Sequence, residues 1–397
     1  MARASARRFW RRYGPPPPTS LASQPTLSRL ENAVDLRTCY RLALALLDVY
    51  LQEREQAGLP KHILLDFDST DDPTHGDQEG TAYHGYFRQH MYHPLLVFDG
   101  DTGQLITAIL RPGNAHSGRG AVAVLRRLVR ALRRRWPGVV IELRADSGFA
   151  LPALNDYCER EGNVYTIDLI PNPRLEAMAA PLLAEAKAKQ EETAAEKVRL
   201  AGEGRYQADT WPKPRRVVYK AEALAKGPNT RFVVTTRSDL PLALYDHYVR
   251  RGEAEHWVKD FKLACFGDRL SCHTFAANQL GLLLHAAACW LLDTLRRWLS
   301  QMEAARLQLD TLRLLLLKIG GRVRQLLTRV RLQLASSHPG QSLWSLLAHR
   351  LYTSLNDSGW PERPRRHHRH RRTARLRRAA PDGRERHCRH GGPAVPH

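Results

Sequence analysis

Between His62 and Leu169 the chain alternates strand-like and helix-like runs in one order, and that order limits its possible folds more than any other feature of the sequence. His62–Asp68 is apolar and compact enough for a buried strand. Tyr92–Phe98 and Gln104–Leu110 read as two more strands, joined at Asp99–Gly103 by DGDTG, a strong hairpin turn. Arg119–Trp136 has the helical period, with Leu125, Leu128 and Leu132 on one side and arginines on the other. Val139–Arg144 is a fourth strand ending at Asp146 in DSGF, Leu151–Glu161 a helix, and Asn163–Leu169 a fifth strand. Strand, hairpin, helix, strand, helix, strand describes a mixed α/β sheet of five strands with flanking helices.

The rest of the chain is organised around that block. Residues 1–25 form a basic, Pro-rich tail with five arginines and no acid, and residues 26–60 a helical segment in which Leu27–Gln56 reads as one helix with Leu42, Leu46 and Val49 on one face. Residues 61–170 and 241–300 are expected to be the two parts of one core. Residues 171–240 are a β-rich insertion: Pro181–Glu196 is helical, and KVRL, RRVVYK and RFVVTTR are short strands. Residues 301–357 form a helix and strand region, with a late strand at Val330–Leu334. Residues 358–397, rich in Arg and His without apolar periodicity, are expected to be disordered.

The formal charge of +21 is uneven, because residues 361–397 hold twelve arginines against three acids. A polyanion is the implied partner, nucleic acid before membrane. Six cysteines in 397 residues, none spaced Cys-x2-Cys, fit free thiols in a reducing compartment rather than a disulfide framework or zinc module. The longest apolar run, Leu280–Leu292, is too short to span a bilayer and contains His285, so a soluble intracellular protein is expected.

Against this basic background, ILLDFDSTDDPTHGDQE carries six carboxylates and no Lys or Arg. If the first and fourth strands are parallel neighbours, Asp68 and Asp146 meet at one rim of the sheet, and two carboxylates held together need a cation. Hard oxygen donors suit Mg²⁺. Asp66, two residues earlier on the same strand face, is the rival ligand; Asp71 and Asp72 read as turn residues. A third carboxylate comes from YVRRGEAEHWVKDFK, where Tyr248, Arg251, Glu255 and Lys262 fall within about 60° of one face of a single helix. Ala254, Trp257, Val258 and Phe261 form the adjoining apolar stripe. The plain alternatives are that Asp146 caps the following helix and that Glu255 pairs only with Lys259.

DFDSTDDPTHG, YHGY, PLLVFDG, RPGNAHS, LRADSGF and the Tyr-Arg-Glu-Lys signature resemble the group-1 DDE transposases of bacterial insertion sequences, over about Leu27–Leu351. The resemblance implies an RNase-H-like catalytic fold in which Asp68, Asp146 and Glu255 are the metal-binding catalytic triad. Tyr248, Arg251 and Lys262 would contact DNA phosphates. It further implies two Mg²⁺ (or Mn²⁺) ions, double-stranded DNA as element ends and target, a homodimer assembled on DNA, and a cytoplasmic, nucleoid-associated location. The short basic N-terminal stretch and the Arg/His tail depart from the family pattern. The rival functions are therefore an inactive remnant that only binds DNA, and a metal-dependent nuclease on the same fold.

Overall fold

The computed structural model describes residues 23–299, 307–326 and 329–357. The fold lies in a compact unit ending at Leu351; of the two basic tails, residues 1–22 and 358–397 fall outside the described residues, and a helix starts at Gln24, inside the expected first tail. The expected first helix is two: α1 (Gln24–Asn32) and α2 (Leu36–Gln56). Asp35 makes the break, accepting a 2.7 Å bond from the Thr38 amide as an N-cap. Helix α2 buries Cys39, Leu47, Tyr50 and Leu51, while Val49, expected on the apolar face, is exposed.

Strand β1 (His62–Ser69) is followed by three short strands, β2 (Asp72–Pro73), β3 (Ala82–His84) and β4 (Gln89–Tyr92), which form their own small sheet in the order β2-β4-β3. The expected strand Tyr92–Phe98 is therefore split, with His93 and Pro94 between β4 and β5 (Leu95–Asp99); Pro94 has no amide for a ladder. Strand β5 and β6 (Leu105–Ile109) form the expected hairpin. Asp99 Oδ1 accepts from the amides of Asp101 and Thr102, and Gly103 takes the left-handed φ of +75° that the turn requires. Then come α3 (Ala121–Arg135), β7 (Val140–Ala145), a 3₁₀ turn (Ser147–Phe149), α4 (Pro152–Arg160) and β8 (Val164–Leu169).

The order β6-β5-β1-β7-β8, with β5 antiparallel to both neighbours and β1, β7 and β8 parallel, is the RNase-H-like arrangement. The sheet does not stop at five strands. After α5 (Pro173–Thr193), strands β9 (Lys197–Tyr206), β10 (Arg215–Leu224) and β11 (Asn229–Thr235) continue it to eight, β11 pairing antiparallel with β8. The apolar strand β8 would otherwise be an edge, and the insertion covers it.

Alternation along β1 sorts the two faces. Ile63, Leu65 and Phe67 join a core with α2, α3, α4 and α5; Leu64, Asp66 and Asp68 point to the other face. There the chain returns as α6 (Pro241–Val249), α7 (Gly252–Cys265) and α8 (Phe275–Trp298), and Phe261, Leu282 and Ala286 pack on Leu96 and Phe98. Helix α8 is long and apolar enough to cross a membrane by length and composition, and 56% of that window is buried. Its polar side chains fix it to edge strand β6: Gln279 bonds the amide of Leu110 (2.8 Å) and the carbonyl of Ala108 (3.3 Å), and Trp290 donates to the Leu105 carbonyl (2.7 Å). Beyond it lie α9 (Leu309–Leu317), a hairpin of β12 (Gly321–Leu326) and β13 (Arg329–Leu334) where one late strand was expected, and α10 (Gln341–Asp357).

Candidate active site

Phe67 is level with Ala145, and Ala145 with Ile167, across the parallel strands β1, β7 and β8. One residue further, at the carboxyl ends of all three, the chain places Asp68, Asp146 and Asp168. Asp68 is buried, held partly by the Ser69 amide at 2.8 Å. Asp146 divides its oxygens. Oδ1 accepts from the Gly148 amide at 2.9 Å, capping the 3₁₀ turn and not the helix α4 that the sequence suggested, which starts from Leu151, while Oδ2 faces the site. Gly148 has no room for a side chain, since a Cβ there would sit 2.7 Å from Ser117 Cβ.

The cation among these groups is Arg251. Its Nη2 stands 3.2 Å from Asp68 and 3.4 Å from Asp146, and its Nη1 3.9 Å from Glu255. Burial pushes the Asp68 carboxyl up to about 6, Asp146 and Glu255 adding to the shift and Arg251 opposing it. One guanidinium facing three carboxylates leaves two negative charges uncompensated, and hard oxygen donors in that balance fit a divalent cation. Among the described residues no three His, Cys, Asp or Glu side chains are grouped closely enough to share a metal, and Glu255, with 74% of its side chain exposed, is the outlying member.

The helix bearing Glu255 differs from the single one expected. Tyr248 is on α6 and Arg251 caps α7, because successive i→i+3 bonds (Arg251 to Tyr248, Glu253 to Arg250, Ala254 to Arg251) tighten the chain around Gly252. Tyr248 packs beside Val218, Val233 and Leu244, and burial pushes its phenol well up. Lys262 turns to Asp71, with Nζ 2.6 Å from Oδ1, and Gln89 holds the other Asp71 oxygen at 3.1 Å. The structure thus brings together Asp68, Asp146, Arg251 and, more loosely, Glu255; it leaves Tyr248 against the insertion strands and Lys262 in an ion pair.

Asp66 is engaged elsewhere. Arg144 grips both its oxygens at 2.6 Å and gives a third bond to the His247 carbonyl. His247 Nε2 also meets buried Glu142 at 2.8 Å, where His62 and Arg237 converge. Burial alone would raise Glu142; the bonds from His247 and His62 overcome it and hold the carboxyl down at about 2. These buried charges lock α6, and so the start of α7, onto β1 and β7.

The sequence matches the family described as "Transposase DDE domain group 1" over residues 11–355. The chain belongs to that family. Among solved structures it is similar to the piggyBac transposase synaptic complex with hairpin DNA (11% identity, TM-score 0.40, 77% of this chain and 59% of that one). It is also similar to the Mos1 transposase paired-end complex (15% identity, TM-score 0.19, 48% of this chain and 62% of that one). The chain thus spans less than two thirds of the length of either. No curated protein matches the sequence.

In this group-1 DDE chain the residue missed from sequence is Asp168. Burial pushes its carboxyl up to about 6 against the opposing charges of Arg231 and Arg251. Its signal was available: an acid near the end of the apolar run Val164–Leu169, on the strand neighbouring the one that leads to Asp146.

Proposed function

We propose that this chain is a DNA transposase of an insertion sequence, which cuts element ends and joins them to a target duplex with divalent-metal chemistry. The observation that carries the reading is the position of Arg251 between Asp68 and Asp146, at the carboxyl ends of adjacent parallel strands, on the helix start that also carries Glu255. An isolated carboxylate pair at a rim has many structural uses. A pair with a third, exposed acid on the neighbouring helix, balanced by one guanidinium, suits a site that must take up both metal and phosphate.

Asp68, Asp146 and Glu255 would hold the metal, and two Mg²⁺ or Mn²⁺ ions there would supply an activated water or 3′-hydroxyl and a stabilised leaving oxygen. The chain's own residues do the rest. Arg251 neutralises the acids until a DNA phosphate approaches, then has a second anion to bind. Lys262 exchanges Asp71 for a backbone phosphate. The Asp66–Arg144–His247 connection fixes where α7 begins, so these groups reach the scissile phosphate from a set origin. Assembly as a homodimer on paired ends, and residence with cellular DNA, follow from the same reading.

The test is a duplex carrying the element's own ends, incubated with the full chain and Mg²⁺, Mn²⁺ or Ca²⁺, beside Asp146→Asn. Metal-dependent cleavage followed by joining, absent in the variant, is expected. Binding without cleavage in any metal would make the chain a DNA-binding remnant, and cleavage without joining would make it a nuclease.

A further inference from the structure

From Thr102 to Ile141 the sequence contains eight arginines and no acidic residue, and most of them fall on α3. Its inner side, Leu125, Leu128, Val129 and Leu132, is buried in the sheet core. Arg126, Arg130 and Arg134 are exposed, recurring every four residues, with Arg133 beside them. Arg126, Arg130, Arg133 and Arg134, with Tyr157 and Glu161, line an open cleft of about 410 Å³ between α3 and α4.

Several surface arginines of this chain are matched by nearby carboxylates, as with Arg174 and Asp209 or Arg216 and Glu203. Among the described residues Arg126, Arg127, Arg130, Arg133 and Arg134 make no ion pair, and of the arginines on α3 only Arg135 does, with Glu55. The single acid of the cleft, Glu161, pairs with Arg160 at 3.5 Å. Arg126 and Arg160 lie 5.7 and 5.5 Å from the Tyr157 ring, and Arg126 and Tyr157 both line the cleft. Unmatched guanidinium groups at this spacing, about 6 Å per helical turn of four residues, suit successive phosphates of a nucleic-acid backbone.

The cleft lies on the opposite face of the sheet from α7 and Lys262, because α3 packs on Ile63, Leu65 and Phe67 and α7 on the other side. The two surfaces meet at the rim that carries Asp68. Ser69, next to Asp68, donates a 3.2 Å bond to Ser117, four residues before α3 begins, and the helix then runs away from the rim toward the start of β7. A duplex gripped by Lys262 and one lying along α3 would be two duplexes. The exposed face of α3 offers arginine among aliphatic residues, a row of charges suited to backbone phosphates.

We infer that the Arg126–Arg130–Arg134 face of α3 binds the phosphate backbone of the target duplex, separately from the element end. This rests on the transposase reading above. It is tested with the full chain and two triple variants, Arg126→Ala/Arg130→Ala/Arg134→Ala and the same three positions changed to Lys. Three assays are run: salt-dependent binding to a random duplex, metal-dependent cleavage of element ends, and joining of pre-cleaved ends to a plasmid. For the Ala variant the slope of log affinity against log salt should fall by about 3, at about 0.9 per lost phosphate contact. Joining should fall with it, end cleavage should keep its wild-type rate, and the Lys variant should retain the slope. An unchanged slope would overturn the inference. So would equal losses of end cleavage and joining, which would place the element end on α3, or a Lys variant as weak as the Ala variant, which would remove the electrostatic basis. Failure of the wild-type chain to cleave any end would defeat the transposase reading, while the random-duplex arm would still read the α3 surface.

Discussion

Arg144 donates two hydrogen bonds of 2.6 Å to the two carboxylate oxygens of Asp66, and both side chains are closed off from water. The pair sets apart two acids on one face of β1. Asp66 has both oxygens committed, whereas Asp68, two residues nearer the rim, meets among the described residues the Ser69 amide and Arg251.

Asp66→Asn should therefore act on stability. It leaves Arg144 charged, buried and half satisfied, a loss of about 3–5 kcal/mol for a broken buried pair. Asp68→Asn should leave the fold as stable or slightly more stable, since it removes a carboxylate from a crowded group, and it should abolish cleavage. Urea unfolding beside an end-cleavage assay separates the two. A stable but inactive Asp66→Asn protein would make Asp66 the ligand instead.

Arg251→Ala removes the one cation that Asp68, Asp146 and Glu255 share. In DNA-free protein the variant should bind Mn²⁺ more tightly than wild type, by roughly tenfold for 1.4 kcal/mol of relieved competition. Cleavage should nevertheless fall, because the phosphate loses its positioning group. Calorimetric titration of Mn²⁺ into the apo protein checks the first half. Equal affinities in the two proteins would mean that the guanidinium and the metal do not compete.

Lys262 and Asp71 make a half-buried pair at 2.6 Å, so on the proposed reading DNA would have to take Lys262 from a carboxylate. Asp71→Asn should release it and tighten binding to element ends several-fold, while Lys262→Ala should weaken binding and reduce the salt slope by about one contact. Gel shifts across a salt series measure both. If neither change moves the slope, the pair is structural.

The order of strands and the rim positions of Asp68 and Asp146 were legible because they depend on local patterns: alternation in β1, a turn sequence in the β5–β6 hairpin, and an acid directly after β7. The Tyr-Arg-Glu-Lys spacing was legible too, but not the break after Val249, which depends on three tightened backbone bonds and not on side-chain period. Long-range partners left no mark on the sequence. Arg144 reads as an ordinary strand residue until Asp66 is found 78 positions away, and Lys262 reads as a phosphate ligand until Asp71 is found beside it. The continuation of the sheet through β11 was hidden for the same reason, since antiparallel pairing of Val233 with Asp168 spans a whole helix and two strands.

Asp72 supplies a pH-dependent test of the same region. It lies on β2, fully buried, and among the described residues neither carboxylate oxygen has a hydrogen-bond partner of good geometry. Burial pushes its carboxyl from an ordinary 3.8 up to about 8; Asp268 and Asp71 add to the shift and Lys262 opposes it. The folded protein therefore keeps a proton on Asp72 that the unfolded chain releases. Its contribution to stability is complete below about pH 4 and is lost as pH rises through about 8. Within that window this one group costs the wild-type protein up to about 1.4 kcal/mol per pH unit. Asp72→Asn keeps the shape without the titration, so the stability difference between variant and wild type should move steadily in the variant's favour from pH 5 to pH 8.5. Urea midpoints at four pH values suffice. Parallel curves for the two proteins would mean that Asp72 is ionised throughout and has a cationic partner in solution.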